Sequence, residues 1–260
     1  MIMYSLITTL MLSGGPLASN PSYGAPIKPH PGEVEALLDG TDDLNRGASS
    51  HAVMTMRVKT KRYDREIKIE AWTQGKDQSL LKIRSPKRDA GVATLKVKGE
   101  AWNYLPKIDR TLKISASAMG GAWMGSHLTN DDLVRNSRMR EDYTWVLLAR
   151  PQAKTPAGEV QGEYHIELTP KPDAPIVWGK VSVYVNAQKR PLKVDYWNER
   201  GVLKRTITFL DYREVSGRPV PMRMRVTPNK TNEFTEIVYD KLEFDVTLSP
   251  RTFSLQALKR

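Results

Sequence analysis

The chain has 260 residues, no cysteine and a formal net charge of +11 at pH 7. The lack of cysteine excludes disulfides, thiolate metal sites, a cysteine nucleophile and a lipid-modified N-terminal cysteine. Hydrophobic residues make up 40% and charged residues 27% of the chain, as in ordinary globular proteins. Beyond the N-terminus no apolar run reaches about 18 residues, so the sequence predicts no internal membrane span.

The N-terminal segment resembles a secretion signal. Lys28 is the first charged residue; residues 1–12 are apolar or hydroxylic, and residues 13–25 are small and rich in Pro and Gly. No Lys or Arg precedes the apolar stretch, so a typical element of such a signal is missing. We expect residues 1–25 to be a signal peptide, with Ala18 and Ala25 both suitable as cleavage points; the alternative is a disordered or helical tail.

The remainder, residues 28–260, is expected to form one domain. Residues 33–45 are predicted to be a helix, because Val34, Leu37 and Leu38 share one apolar stripe and Gly47 can stop it.

Most of the chain after this helix alternates between apolar and polar residues at a spacing of two, which is typical of strands with one apolar face. Turn residues separate the alternating segments, so they favour one large antiparallel sheet. The segments predicted to be strands are residues 51–60, 65–74, 78–85, 91–97, 99–106, 109–118, 143–150, 160–169, 178–187, 190–199, 202–215, 219–228 and 233–247.

The alternation breaks at residues 119–136. Trp123, Met124, Leu128 and Leu133 give this insertion an apolar side, and glycines at 120, 121 and 125 allow it to move. It is expected to cover the apolar face of the sheet, either as a mobile lid or as a fixed plug.

One small cluster in the insertion has the residue types of acid–base chemistry: Ser126, His127, Asp131 and Asp132. Thr129 and the two aspartates fit the N-cap and first turn of a short helix, and His127 then is a surface loop residue. No second histidine or third carboxylate is close in sequence, so no metal site is predicted. Gly120 and Gly121 do not follow a parallel strand and open no phosphate-binding helix. We therefore predict no catalytic residue, no metal ligand and no cofactor.

The basic charge is interpreted as a solvated outer sheet face. Lys96 and Lys98, like Arg223 and Arg225, alternate with apolar residues at strand spacing. An anionic membrane surface is the second interpretation. Nucleic acid is not expected as a partner, because no recognition helix or nucleic-acid motif is evident.

Four stretches, taken together, resemble the periplasmic lipoprotein-carrier (LolA-like, outer-membrane lipoprotein-sorting) family, in a divergent branch. They are residues 104–115 (YLPKIDRTLKIS), 117–133 (SAMGGAWMGSHLTNDDL), 209–221 (FLDYREVSGRPVP) and 250–258. His127 stands where the family pattern would have an acidic residue. The resemblance covers most of residues 50–258.

This resemblance implies a mainly β protein: an incomplete β-barrel of about eleven antiparallel strands, capped by a few short helices over an apolar cavity. It implies a periplasmic carrier that holds lipids or the acyl chains of lipoproteins and moves them toward the outer membrane. The implied partners are an inner-membrane exporter, an outer-membrane acceptor and, transiently, a membrane surface. Two alternatives stay open: a lipid-ester hydrolase centred on His127, and a sensor module that binds a lipidated ligand.

The residues that would line the cavity are inferred from the alternation, with the paired methionines as flexible apolar surface. Ordinary core filling is the alternative for each of them. They are Met54, Met56, Ile67, Ile69, Trp102, Leu112, Ile114, Trp123, Met124, Leu133, Trp145, Val181, Val183, Met222 and Met224.

Overall fold

The computed structural model describes residues 25–44, 47–134, 139–152, 162–172, 174, 176–229 and 231–259. The predicted signal peptide, apart from Ala25, lies outside these described residues. None of the described helices is both long and apolar enough to cross a bilayer.

Within the described residues, thirteen strands form a single antiparallel sheet, in the order β6-β5-β4-β3-β2-β1-β13-β12-β11-β10-β9-β8-β7. β6 and β7 are its two edges, so the sheet stays open. The predicted class, a mainly β protein with one large antiparallel sheet, is confirmed, with thirteen strands where the resemblance implies about eleven. The strands are β1 Ser49–Lys59, β2 Asp64–Gln74, β3 Gln78–Ser85, β4 Ala93–Val97, β5 Glu100–Leu105, β6 Arg110–Lys113, β7 Tyr143–Ala149, β8 Glu163–Pro170, β9 Lys180–Asn186, β10 Pro191–Trp197, β11 Leu203–Val215, β12 Arg218–Pro228 and β13 Phe234–Phe244.

The described helices are short. α1 spans Glu33–Asp42, so it ends earlier than the predicted residue 45, and α2 and α3 span Asn130–Val134 and Met139–Asp142. Turns of 3₁₀ helix lie at Pro106–Ile108, Ala116–Ala118, Trp123–Gly125 and Leu255–Lys259.

The predicted strand at residues 109–118 is shorter in the structure. β6 ends at Lys113, because the chain turns into a 3₁₀ helix at Ala116–Ala118. Leu112 is consequently 47% exposed on the edge strand, whereas Ile114 is buried beside Ala101, whose carbonyl accepts its N–H at 2.8 Å.

The inner face of the sheet carries two apolar cores. Under α1, the side chains of Val34, Leu37 and Leu38 pack on β7–β10, where large aliphatic residues fill the space. The second core lies on β1, β2 and β11–β13 and includes Trp123 and Leu128 from the insertion. The predicted apolar stripe of α1 is therefore the face that it buries.

The outer face of β3–β5 is also apolar, although the sequence predicts strands with only one apolar face. Leu80, Leu95 and Trp102 lie there and are covered by Phe253 and Leu258 of the C-terminal turn. The parity of the pairing explains this placement, since Leu80, Leu95 and Trp102 are direct cross-strand partners and share one face.

Truncation of Leu38 tests the packing of α1 on the sheet. Leu38 is fully buried in the core under α1, so we expect Leu38→Ala to lower the free energy of unfolding by about 2–5 kcal/mol. Chemical denaturation followed by circular dichroism measures it. Glu35→Ala on the same helix is the control, and equal effects of the two substitutions would contradict this packing.

Candidate functional site

An apolar cavity of about 310 Å³ lies in the second core, between the inner sheet face, the insertion and the C-terminal end of α1. Its volume is at the small end of the range for ligand pockets, ~300–1,000 Å³. The residues that line it are Thr41, Asp42, Leu44, Ser50, Ala52, Met54, Ile69, Ala71, Thr73, Gly75, Lys76, Gln78, Ser79, Leu81, Trp123, Leu128, Asp132, Leu133, Phe209, Met224, Ile237, Tyr239 and Leu242.

The sheet wall of this cavity is graded in polarity along the strands. Strands β1, β2 and β3 pair so that their inward residues form three rows across the sheet. The first row is apolar (Met54, Ile69, Ile83), the second is small or apolar (Ala52, Ala71, Leu81), and the third is hydroxylic (Ser50, Thr73, Ser79). We call the third the hydroxyl row.

The cavity opens to solvent beside the hydroxyl row. Gly75 and Lys76, in the β2–β3 turn, line the cavity and are exposed, whereas Met54 and Ile69 at the other end are buried. Lys76 Nζ lies 3.5 Å from Asp43 Oδ1 at the end of α1, so an ion pair spans this opening.

Lys96 does not lie on the solvated outer face, where the sequence predicts it to be. It pairs with Ser79 and so continues the hydroxyl row on the inner face, where it is only 4% exposed. Its ammonium donates to the Lys76 carbonyl at 2.9 Å. Arg223 and Arg225 do lie on the outer face, in ion pairs with Asp211 and Glu236.

Residues 119–134, which we call the lid, roof the cavity. Trp123, Leu128 and Leu133 line it from above, and the Trp123 indole donates to Thr94 Oγ1 at 3.2 Å. Gly125 is required where the lid meets the β1–β2 hairpin, because its φ is +66° and a Cβ there would lie 2.7 Å from the Tyr63 hydroxyl oxygen.

A buried ion pair joins the lid to β11. Arg205, 6% exposed at its side chain, donates to both carboxylate oxygens of Asp132 at 2.6 Å and to the His127 carbonyl at 3.2 Å. The guanidinium lies 4.7 Å and 4.5 Å from the ring centroids of Trp178 and Tyr196. This geometry, bidentate and flanked by aromatic rings, is that of a strong and specific contact.

Asp132 also caps α2, as the sequence predicts. Its carboxylate accepts from the Thr129 N–H at 2.7 Å and from the Thr129 hydroxyl at 2.9 Å, and Thr129 Oγ1 accepts from the Asp132 N–H at 3.1 Å. Burial pushes the pKa of Asp132 upward, but the hydrogen bonds and charge of Arg205, with those from Thr129, bring this pKa below its usual value. The pair is therefore ionised at neutral pH.

Further hydrogen bonds fix the lid to the β1–β2 hairpin and to β13. The Tyr63 hydroxyl donates to the Gly125 carbonyl, and Arg65 donates to the Met124 carbonyl. The His127 N–H donates to Thr235 Oγ1 at 2.9 Å. The lid is thus closed over the cavity and held at three places.

Ser126 and His127, from the cluster with acid–base residue types, form hydrogen bonds that stabilise the lid. The Ser126 hydroxyl contacts the backbone of Leu128, accepting from its N–H at 3.1 Å. His127 is not a surface loop residue, since its side chain is 15% exposed, with Nδ1 2.9 Å from Thr235 Oγ1 and Nε2 3.6 Å from Glu233 Oε2. Among the described residues, no group of three potential ligands could hold a metal ion.

The predicted lining residues separate into groups. Met54, Ile69, Trp123, Leu133 and Met224 line the cavity, while Met56, Ile67, Met124 and Met222 belong to the same core beside it. The others lie elsewhere: Trp145, Val181 and Val183 under α1, Trp102 on the outer face, Leu112 exposed, and Ile114 beside Ala101. Whether the first group binds a ligand stays a prediction.

Sequence reasoning missed the polar and small part of the lining. Ala52, Ala71 and the hydroxyl row share the parity of Met54 and Ile69, and this was the available signal. These residues were missed because only large apolar residues were considered as lining residues. Phe209, Ile237 and Leu242 lie on the inward parity of β11 and β13 in the same way.

Solved structures that share this fold include the following three. They are an outer membrane lipoprotein-sorting protein domain from Vibrio parahaemolyticus (24% identity, TM-score 0.73, covering 86% of this chain and 97% of that one), a DUF1329 family protein from Desulfovibrio piger (24%, 0.73, 86% and 96%) and a LolA superfamily protein from Nitrosomonas europaea (20%, 0.67, 86% and 98%). No curated protein matches the sequence.

The open sheet, the lid and the cavity therefore define a protein of the LolA-like fold class. A family model described as "Uncharacterized protein" matches residues 75–260, more than half of the chain. The chain belongs to this family, a divergent one among proteins of LolA-like fold.

Removal of the charge of Asp132 tests the anchoring of the lid. Asp132→Asn leaves Arg205 buried without its anionic partner, so we expect the free energy of unfolding to fall by about 3 kcal/mol at pH 7. Urea denaturation measures it. Asp64→Asn, in the exposed pair with Arg57, is the control with little effect; a stability of Asp132→Asn equal to that of this control would contradict the anchoring.

The same pair predicts a pH dependence. The pKa of Asp132 is lower in the folded state than in the unfolded state. Ionised Asp132 therefore contributes fully to the free energy of unfolding above its unfolded-state pKa, about 3.9. This contribution is lost as pH falls through the folded-state pKa. The stability difference between the wild type and Asp132→Asn should be constant near neutrality and shrink below about pH 3.9. Denaturation curves at several pH values measure it, and a gap that widens in acid would refute this assignment.

Proposed function

We propose that this protein is a periplasmic carrier that binds the hydrocarbon chain of a lipid, or of a lipidated protein, in the cavity under the lid and moves it toward the outer membrane. The observation that supports this most is the cavity itself, which is apolar, roofed by apolar lid residues and open at one end. Each methylene that leaves water for such surroundings gains ~0.8 kcal/mol, so a carrier must offer a comparable environment to extract a chain from a membrane.

The structural relatives support the same proposal. One is described as an outer membrane lipoprotein-sorting protein domain and another as a LolA superfamily protein. The periplasmic location rests on this likeness and on the signal expected at residues 1–25. An inner-membrane exporter that loads the protein, and an outer-membrane acceptor that unloads it, are the partners such a role would require.

We propose that the lid moves during loading and so widens the open end of the cavity. The bonds of Tyr63 and Arg65 to lid carbonyls are partly solvent-accessible and can exchange with water, whereas the Arg205–Asp132 pair is buried. We propose that the Trp123–Gly125 turn lifts first while α2 stays attached to β11. The glycines at 120, 121 and 125 give this turn its freedom.

The role proposed is binding and transfer without chemistry. The hydrolase alternative gains no support from the geometry, because Ser126 contacts the backbone of Leu128 and the His127 ring contacts Thr235. A catalytic pair needs a hydroxyl that both faces the imidazole and is open to substrate. The Thr235 hydroxyl does face the imidazole, but Thr235 is fully buried.

A cavity-filling substitution tests the proposal. Ala71 lies in the middle of the sheet wall, so Ala71→Leu should occupy the space of the chain while the fold persists. We expect several-fold less lipid to co-purify, measured by extraction and mass spectrometry, and slower transfer of a fluorescent acyl probe between vesicles.

Ala48→Leu, in the exposed turn before β1, is the matched control and should behave as the wild type. Lipid content and transfer that are equal in both variants, or absent from the wild type, would overturn the carrier function. Binding without transfer between vesicles would instead favour a sensor module.

A further inference from the structure

We infer that the cargo is a single-chain amphiphile of about twelve carbons, whose carbonyl or carboxylate oxygen is held by the hydroxyl row of β1–β3. This inference rests on the proposed function and adds the chemical class of the ligand to it. The volume of the cavity, the gradient of polarity along its wall and the donors at its open end support it.

The number of chains follows from the volume. An apolar cavity of about 150 Å³ accommodates one benzene ring, and the cavity here measures about 310 Å³. It therefore has room for roughly a dozen carbon atoms by the same comparison. Two or three long acyl chains, as in a diacyl phospholipid or a triacylated protein, exceed this space.

The direction of the chain follows from the three rows. A hydrocarbon chain is best solvated along Met54 and Ile69, at the buried end, and its polar head then lies at the open end, beside Ser50 and Thr73. The reverse orientation would bury the head among apolar side chains without hydrogen bonds, which is strongly unfavourable.

The chemistry of the head follows from the proton count of the hydroxyl row. Ser50 Oγ and Thr73 Oγ1 lie 2.6 Å apart in one hydrogen bond. Each hydroxyl has one proton, so this bond uses one of the two and leaves the other to donate to a ligand oxygen. Ser79, the third member of the hydroxyl row, also lines the cavity and adds a donor. The site therefore favours an acceptor oxygen of an ester, amide or carboxylate.

Lys76 lies at the rim of the same opening. The Lys76 side chain is 43% exposed, and its ammonium lies 3.5 Å from the Asp43 carboxylate. A ligand carboxylate can compete for the ammonium at this separation. A fatty acid and a monoacylglycerol share the acceptor oxygen of the head and differ in charge, so the two can be distinguished at this lysine.

Calorimetry with four defined ligands tests the inference: dodecanoate, monododecanoylglycerol, a diacyl phosphatidylcholine and a triacylated lipopeptide. Displacement of a fluorescent probe by dodecane measures the affinity for a chain without a head. We expect the two single-chain ligands to bind at least tenfold more tightly than the other two. Tighter binding of dodecanoate that is lost in Lys76→Gln assigns a carboxylate head, and tighter binding of the glycerol ester assigns a neutral one.

The double variant Ser50→Ala/Thr73→Val removes both hydroxyls of the bonded pair, so that neither proton is left to donate to the ligand. We expect it to weaken both single-chain ligands about fivefold, the worth of one neutral hydrogen bond, and to leave the affinity for dodecane unchanged. Thr55→Val, on the outer face of β1 where its hydroxyl contacts Asp240, is the matched control. Thermal melts of both variants verify that they fold.

The outcomes separate this inference from the proposed function. If none of the four ligands and no dodecane binds, the carrier function itself fails. If the diacyl or triacyl ligand binds as tightly as dodecanoate, the carrier function stands and the single-chain inference is wrong. If the double variant Ser50→Ala/Thr73→Val weakens dodecane as much as the single-chain ligands, the head is not held by the hydroxyl row.

Discussion

The register of β1 between β2 and β13 is the constraint on which the rest of the site depends. Side chains alternate across a strand, so a slip of one residue would turn Met54, Ala52 and Ser50 outward together. β1 is also the only described strand that joins β1–β6 to β7–β13, by its pairing with β13. A bulge after Val53 corrects the register there, so that Ala52 faces Leu242, Met54 faces Tyr239, and both pairs line the cavity.

The lid is held in a different way from the strands beneath it. Its apolar side chains contribute to the core, yet the loop has many backbone polar groups and little regular structure to pair them. Arg205 satisfies one of these backbone groups, because its guanidinium donates to the His127 carbonyl as well as to the Asp132 carboxylate. Burial of that charge is tolerable only with such complete pairing, which explains why the contact is so specific in geometry.

How far the sequence predicts the structure depends on the kind of residue. Strong alternation made the strands and the class of fold predictable, and the helical spacing of apolar residues predicted the α1 stripe. The Thr129–Asp132 cap followed from its residue types. The predictions for Trp102 and Lys96 were wrong for opposite reasons: an aromatic residue on the outer face is covered by the distant Phe253, and a lysine on the inner face follows from pairing with Ser79. Local periodicity shows which residues share a face of a strand, but it does not show which face is covered. The covering depends on contacts between residues that are far apart in the sequence.

The position of the cavity follows from residue volume. Under α1 the inward positions are Val181, Val183, Ile166 and Leu168, which fill the space between helix and sheet. On β1 and β2 the paired inward positions are Ala52 and Ala71, and the lid does not reach down to replace the missing volume. Unfilled apolar space costs about 24 cal/mol per Å³, so two larger aliphatic residues at these positions would make a more stable protein. A chain that keeps alanine at both, with a hydroxyl row at the open end and an anchored roof above, has the composition expected of a site that is completed by its ligand.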